Sequence, residues 1–180
     1  MRSNRPTRYV SSRRGYTLVE MLIVVVLMGL AAAMVIPSMA EASSLKVQGA
    51  LRMMVADITV MQSDAVAFQQ NRAIVFRPNG EATRYIMCEA NGLTPDTTTG
   101  VIQRRYIGGD TYGFATVAET TNLAATDTLI FDALGGPIRG GSGGSVEPAA
   151  TATIRVSGSN QNWRISIEAF TGRVTVQNLD

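Results

Sequence analysis

Tyr16-Thr17-Leu18-Val19-Glu20 opens the stretch YTLVEMLIVVVLMGLAAAMVIPSM, residues 16–39, and its reading decides the fold. From Met21 to Ile36 no side chain carries a charge. As a helix rising about 1.5 Å per residue, residues 16–39 reach about 36 Å, enough to cross a bilayer core of about 30 Å. Before the stretch stand Arg2, Arg5, Arg8, Arg13 and Arg14 with no acid among them. By the positive-inside rule the N-terminus is expected in the cytoplasm and residues beyond about 40 outside. Glu20 is the one residue out of place. An unpaired carboxylate in hydrocarbon is costly, so an acid at this position is a functional hypothesis that requires a partner. A cut between Gly15 and Tyr16 would supply one, because the new α-amino group would lie four residues, one helical turn, from Glu20.

Competing readings explain less. A secretory signal would end at a small-residue site such as Ser38-Met39-Ala40, but its apolar region is shorter and free of acid. Ser12-Arg13-Arg14-Gly15-Tyr16-Thr17-Leu18 has twin-arginine character and meets the same two objections. A plain anchor accounts for the length and leaves Glu20 without a reason.

Gly15-Tyr16-Thr17-Leu18-Val19-Glu20 resembles the processing motif of type IV prepilins and type II secretion pseudopilins, with Pro37 where such helices commonly kink. The resemblance implies a leader, residues 1–15, removed by prepilin peptidase after Gly15, and N-methylation of Tyr16. It also implies pairing of Glu20 with the N-terminus of an adjacent subunit. Tyr16 stands where phenylalanine is usual, and the leader is longer than typical. Other pilin or pseudopilin subunits, an inner-membrane assembly platform and membrane lipid are the implied partners. The implied location is a single-pass inner-membrane precursor with a periplasmic domain, later an extracytoplasmic filament.

Beyond Pro37 the helix becomes one-sided. Leu51, Met54, Val55, Ile58, Met61, Ala65 and Phe68 recur at spacings of three and four, with Arg52, Asp57, Asp64 and Gln69 between them, so residues 41–71 are expected to form an amphipathic half. The stripe of Met53, Met54 and Met61 reads as core filler. Residues 72–180 change to short strands. Ala73–Arg77 and Thr83–Glu89 flank Asn79-Gly80, a hairpin signal. Val101–Ile107 and Thr128–Asp132 read as further strands. Ala152, Ile154 and Val156, then Trp163, Ile165, Ile167 and Ala169, then Val174 and Val176 alternate with polar residues, as in antiparallel sheet with one solvated face. Thr94–Gly100 and Gly135–Glu147 read as loops. The expected fold is α+β: a long N-terminal hydrophobic helix, kinked near Pro37, packed on a small antiparallel domain.

A second resemblance covers the domain. Leu129-Ile130-Phe131-Asp132 with Gly135-Gly136-Pro137, and Ile165-Ser166-Ile167 with Thr171-Gly172-Arg173-Val174, look similar to the GspH/FimT group of minor pilins and pseudopilins. That group packs a long helix on two small antiparallel sheets.

Composition narrows the chemistry. The 180-residue chain has no histidine, which removes the commonest general base, the Ser-His and Cys-His pairs and most zinc sites. Its lone Cys88 permits no internal disulfide and reads as a small core residue. Ser43-Ser44-Leu45-Lys46 matches the S-x-x-K pattern of penicillin-recognising enzymes, but Lys46 is the only lysine and the second one such enzymes use is missing. GGPIRGGSGGSVE lacks the Gly-Lys-Ser/Thr ending of a phosphate loop. Acids show no EF-hand spacing. No catalytic residue, metal site or cofactor is expected. The formal charge of +2 falls to −3 once the five leader arginines are subtracted from sixteen basic residues against fourteen acids. DNA binding through Arg155, Arg164 and Arg173, with Arg139 nearby, is the alternative function. A solvated sheet face is the plainer reading of those arginines.

Overall fold

The computed structural model describes residues 15–124, 127–140 and 145–180, with the backbone alone for residues 34–42. The expected leader thus lies outside the described residues except for Gly15. The chain divides into two compact units, Met1–Met39 and Ala40–Asp180. The bend expected at Pro37 falls among the backbone-only residues. Helix α1, Leu18–Phe68, is assigned without interruption through them.

In the first unit every residue from Leu18 to Ala33 is exposed, on all sides of the helix. Among the described residues no helix is long and apolar enough to cross a membrane.

In the second unit α1 contributes Val47, Ala50, Leu51, Met54, Ile58, Met61 and Ala65 to the core, each buried. These positions hold one face at a 3.6-residue period. Two residues depart from the expected pattern. Phe68 is 62% exposed, and Asp57, expected on the polar side, is buried. Asp57 follows Met54 by three residues and precedes Ile58 by one, which places it on the apolar stripe. The helix ends at Phe68 rather than near Asn71. Gln69 takes a left-handed φ of 53°, Gln70 N–H donates to Ala65 O at 3.2 Å and Gln69 N–H to Val66 O at 3.4 Å, the Schellman pattern of a helix stop.

The described residues that follow form eleven strands: β1 Arg72–Phe76, β2 Arg84–Asn91, β3 Thr94–Pro95, β4 Val101–Tyr106, β5 Thr116–Thr121, β6 Thr128–Phe131, β7 Pro137–Gly140, β8 Val146–Pro148, β9 Ala152–Gly158, β10 Gln161–Ile167 and β11 Val174–Asn178. They make two antiparallel sheets. One runs β3-β2-β1-β6-β7-β8 with β4 also on β2; the other runs β11-β10-β9-β5. Asn79-Gly80 does lie between paired strands β1 and β2, in register Phe76 to Tyr85, but as part of a longer connection with a short 3₁₀ turn at Pro78–Gly80.

One core unites α1 with Ile74, Phe76, Tyr85, Met87, Leu129 and Phe131 of the first sheet and Val117, Ile154, Val156, Ile165 and Ile167 of the second. The first sheet differs from the sheet with one solvated face expected over residues 152–176. Its other side buries Ala73, Val75, Cys88, Ile130 and Ile138, so β1 is buried at every residue and, after Arg72, reads as a continuous apolar run. The loop expected over Gly135–Glu147 is corrected: Pro137–Gly140 and Val146–Pro148 pair as a hairpin at the end of that sheet. β5 carries no clean alternation because a bulge between Val117 and Glu119 shifts its register on β9.

Candidate functional site: the helix N-terminus

Gly15, Tyr16 and Thr17 are non-helical and exposed, Tyr16 at 74%. Thr17 Oγ1 accepts a hydrogen bond from Glu20 N–H at 3.2 Å, and Thr17 O takes the first helical bond, from Met21 N–H, at 3.2 Å. Thr17 is therefore the N-cap and Glu20 the third helical residue, the Thr-x-x-Glu spacing of a capping box. The expectation that the helix starts at Tyr16 is corrected by two residues, for the sake of this cap. The Thr-x-x-Glu pattern before an apolar run was the signal that would have found it.

Glu20 stands in the first turn of the helix. A carboxylate in the first turn faces the partial positive charge of the helix N-terminus, a gain of about 0.3–1 kcal/mol at an exposed position. The Gly15–Tyr16 bond lies outside the helix, in accessible backbone. Among the described residues a Cβ added to Gly15 would meet nothing within 4 Å, so none of them requires glycine there. A glycine demanded at this position is demanded by whatever binds it. Met21 to Ala33 then present an unbroken apolar surface, preceded by Leu18 at 81% exposure and including Met28 at 69%.

The carboxy-terminal arginines are arranged differently from one basic patch. Arg155 and Arg164 are direct cross-strand neighbours on the outer face of the second sheet. Arg155 also pairs with Glu119 of β5 at 3.4 Å, and Arg173 bonds Glu168. That hydrogen bond from Arg173 holds the Glu168 carboxyl below its usual range. Arg139 belongs to the other sheet, opposite Glu147. Gly172, beside Arg173, is needed for close approach. At φ +64° and without a side chain, it lets Gln62 of α1 reach in and donate to Gly135 O at 2.8 Å and Thr171 O at 3.0 Å.

The sequence reading missed a polar cluster at the helix–sheet junction. Buried Asp57 accepts from Tyr85 Oη at 2.6 Å and from Arg105 Nε at 2.9 Å and Nη2 at 3.1 Å. Burial, with the bond to Asp57, pushes the Tyr85 hydroxyl well above its usual range. Among the described residues no group of acids and cysteine is placed to hold a metal ion.

The fold defines the class first: an α+β protein in which a long helix, bare and apolar at its start, later packs on two antiparallel sheets. The chain carries the prokaryotic N-terminal methylation motif over residues 10–36, the signature typical of type IV pilin-like precursors. That motif implies membrane anchoring, processing by prepilin peptidase and assembly with other pilin subunits. Neither a curated protein nor a solved structure matches the chain.

Proposed function

We propose that the chain is a structural subunit, of the minor GspH/FimT type, in a type IV pilus or type II secretion pseudopilus. The observation that carries the reading is the junction at residue 15: an accessible Gly15–Tyr16 bond, a capped helix and Glu20 one turn away, all leading into a wholly exposed apolar helix. The precursor, with its leader in the cytoplasm, waits in the inner membrane with residues 16–40 in lipid and residues 72–180 in the periplasm. Cleavage after Gly15 frees the Tyr16 amine, which is methylated. Residues 41–71 hold the β domain to the assembling helix. On uptake at the assembly platform the apolar helix exchanges lipid for neighbouring helices, and Glu20 pairs with the amine of another subunit. Pro37 gives the helix a place to bend. The motif is that of a structural protein, and no step of this mechanism calls for catalysis. No observation favours DNA binding by Arg155, Arg164 and Arg173 over a solvated face.

The test is Glu20→Ala in the full chain. Processing, read by mass spectrometry as an N-methyl-tyrosine start at residue 16, and membrane insertion are expected to persist while incorporation into filaments is lost. Normal incorporation would remove the charge-pairing step, and a mature start at Glu41 would remove the whole reading.

A further inference from the structure

The side of the first sheet turned away from α1 brings three arginines together from neighbouring strands. Cross-strand register sets Val75 beside Ile86 and Ile86 beside Arg104. One step further along, Arg77 N–H donates to Arg84 O at 3.1 Å, and Arg84 lies beside Tyr106. Residues two apart on a strand share a face, so Arg84 and Ile86 open to the same side, as do Arg104 and Tyr106. These six residues line one cleft of about 1020 Å³, with Val75 and Ile86 as an apolar floor. A volume of that order holds an organic ligand.

The arginines of the cleft are not equivalent. Arg77 is committed: its Nε and Nη2 both bond Asp127, at 2.9 and 2.6 Å. Arg105, at the edge of the cleft, is likewise spent on Asp57. Arg84 and Arg104 are held loosely. Arg84 pairs with Glu81 at 3.0 Å, both side chains more than half exposed, and its guanidinium sits 5.8 Å from the Tyr106 ring centre. Arg104 donates to Thr97 O at 3.1 Å and among the described residues meets no carboxylate. An exposed ion pair of this kind is worth little in water, so an incoming anion can take both guanidiniums. They stand on diagonal positions of β2 and β4, about 7–8 Å apart at the strand, where two long side chains can converge on one oxyanion. Two exchangeable guanidiniums match a group with two negative charges and several acceptor oxygens. A phosphate monoester is such a group, with close to two charges and three free oxygens at pH 7. A carboxylate or a phosphodiester, with one charge, offers Arg84 no more than Glu81 already does.

We propose that this cleft binds an organic phosphate monoester. Arg84 and Arg104 close on the phosphate oxygens, Glu81 is displaced, and Arg77 stays with Asp127. The Tyr106 ring and the floor of Val75 and Ile86 receive the organic part. The same terminal phosphate is carried by a soluble sugar phosphate and by a phosphorylated lipid headgroup, and the cleft recognises it in either. The site lies wholly within the unit Ala40–Asp180 and does not depend on the filament reading.

The test is titration calorimetry of the full chain in non-ionic detergent at about pH 7.5, where monoesters carry close to two charges. Methyl phosphate is expected to bind at one site, and dimethyl phosphate, a diester with a single charge, about tenfold more weakly. Equal binding of the diester overturns the match to a doubly charged group. Arg84→Gln and Arg104→Gln are each expected to weaken methyl phosphate binding about tenfold. Arg164→Gln, on the second sheet, is the control and is expected to leave it unchanged. Glu81→Gln removes the competing carboxylate and is expected to tighten binding about two- to fivefold, a gain that a misfolded variant cannot imitate. Glucose 6-phosphate and glycerol 3-phosphate, a lipid headgroup without its chains, distinguish the two sources, the tighter ligand naming the one the cleft fits. No binding of any monoester, binding indifferent to Arg84 and Arg104, or no gain from Glu81→Gln overturns the proposal.

Discussion

Replacing Asp57 with alanine removes the acceptor of three hydrogen bonds at the point where α1 meets the first sheet. The two donors suffer unequally. Tyr85 is fully buried, so its hydroxyl loses the Asp57 carboxylate and cannot turn to bulk water, at a cost of about 1–3 kcal/mol. The Arg105 side chain is one-third exposed, so it can rehydrate, and solvent screening reduces its loss to about 1 kcal/mol. The expected total is about 2–4 kcal/mol. The assay is urea unfolding of the full chain in non-ionic detergent, followed by the fluorescence of half-buried Trp163. Asp57→Asn keeps an acceptor for Tyr85 and is expected to cost about half as much. The decisive comparison is Asp57→Ala with Tyr85→Phe: removing the stranded hydroxyl should recover stability, so the double variant is no less stable than Asp57→Ala alone. Two losses that simply add, or an Asp57→Ala loss below about 0.5 kcal/mol, would refute the claim that this cluster fastens helix to sheet.

Two further outcomes follow from other parts of the domain. Burial raises the Cys88 thiol to about 11, against 9.0 for the free group. The unfolded chain therefore loses its proton first, so stability should fall with rising pH from about 9 toward 11, by about 1.4 kcal/mol per pH unit at most. Urea midpoints of wild type and Cys88→Ala between pH 8 and 10 check this, and parallel pH profiles would contradict it. Gly172→Ala combines a left-handed φ with a Cβ that collides with the Gln62 amide and comes within 3.0 Å of Gly135 O. A loss of about 2–4 kcal/mol in the same unfolding assay is expected, and a neutral result would show that Gln62 has room to withdraw.

Much of the functional end was legible in the chain because its physics is local. An apolar run, one acid, and arginines on one side only are properties of adjacent residues, and they settled the reading of residues 10–36 that the methylation motif supports. The cap by Thr17 was equally local and equally readable. Strand existence followed where alternation was clean, as in β9 and β10. It failed in β5, where a bulge breaks the period, and in β7 and β8, where glycine and proline suggested a loop.

What the sequence determined by itself is therefore the apolar helix that carries the methylation motif and the switch from all-round to one-sided hydrophobicity after Pro37. Only the tertiary structure decided that Asp57 turns inward, because its cost there is offset by Tyr85 and Arg105, residues 28 and 48 positions away. It also decided that β1 is buried on both faces, that Arg155 and Arg173 lie against Glu119 and Glu168, and that Arg77, Arg84 and Arg104 line one cleft. Each depends on what the fold brings alongside from far along the chain, and no local pattern encodes that.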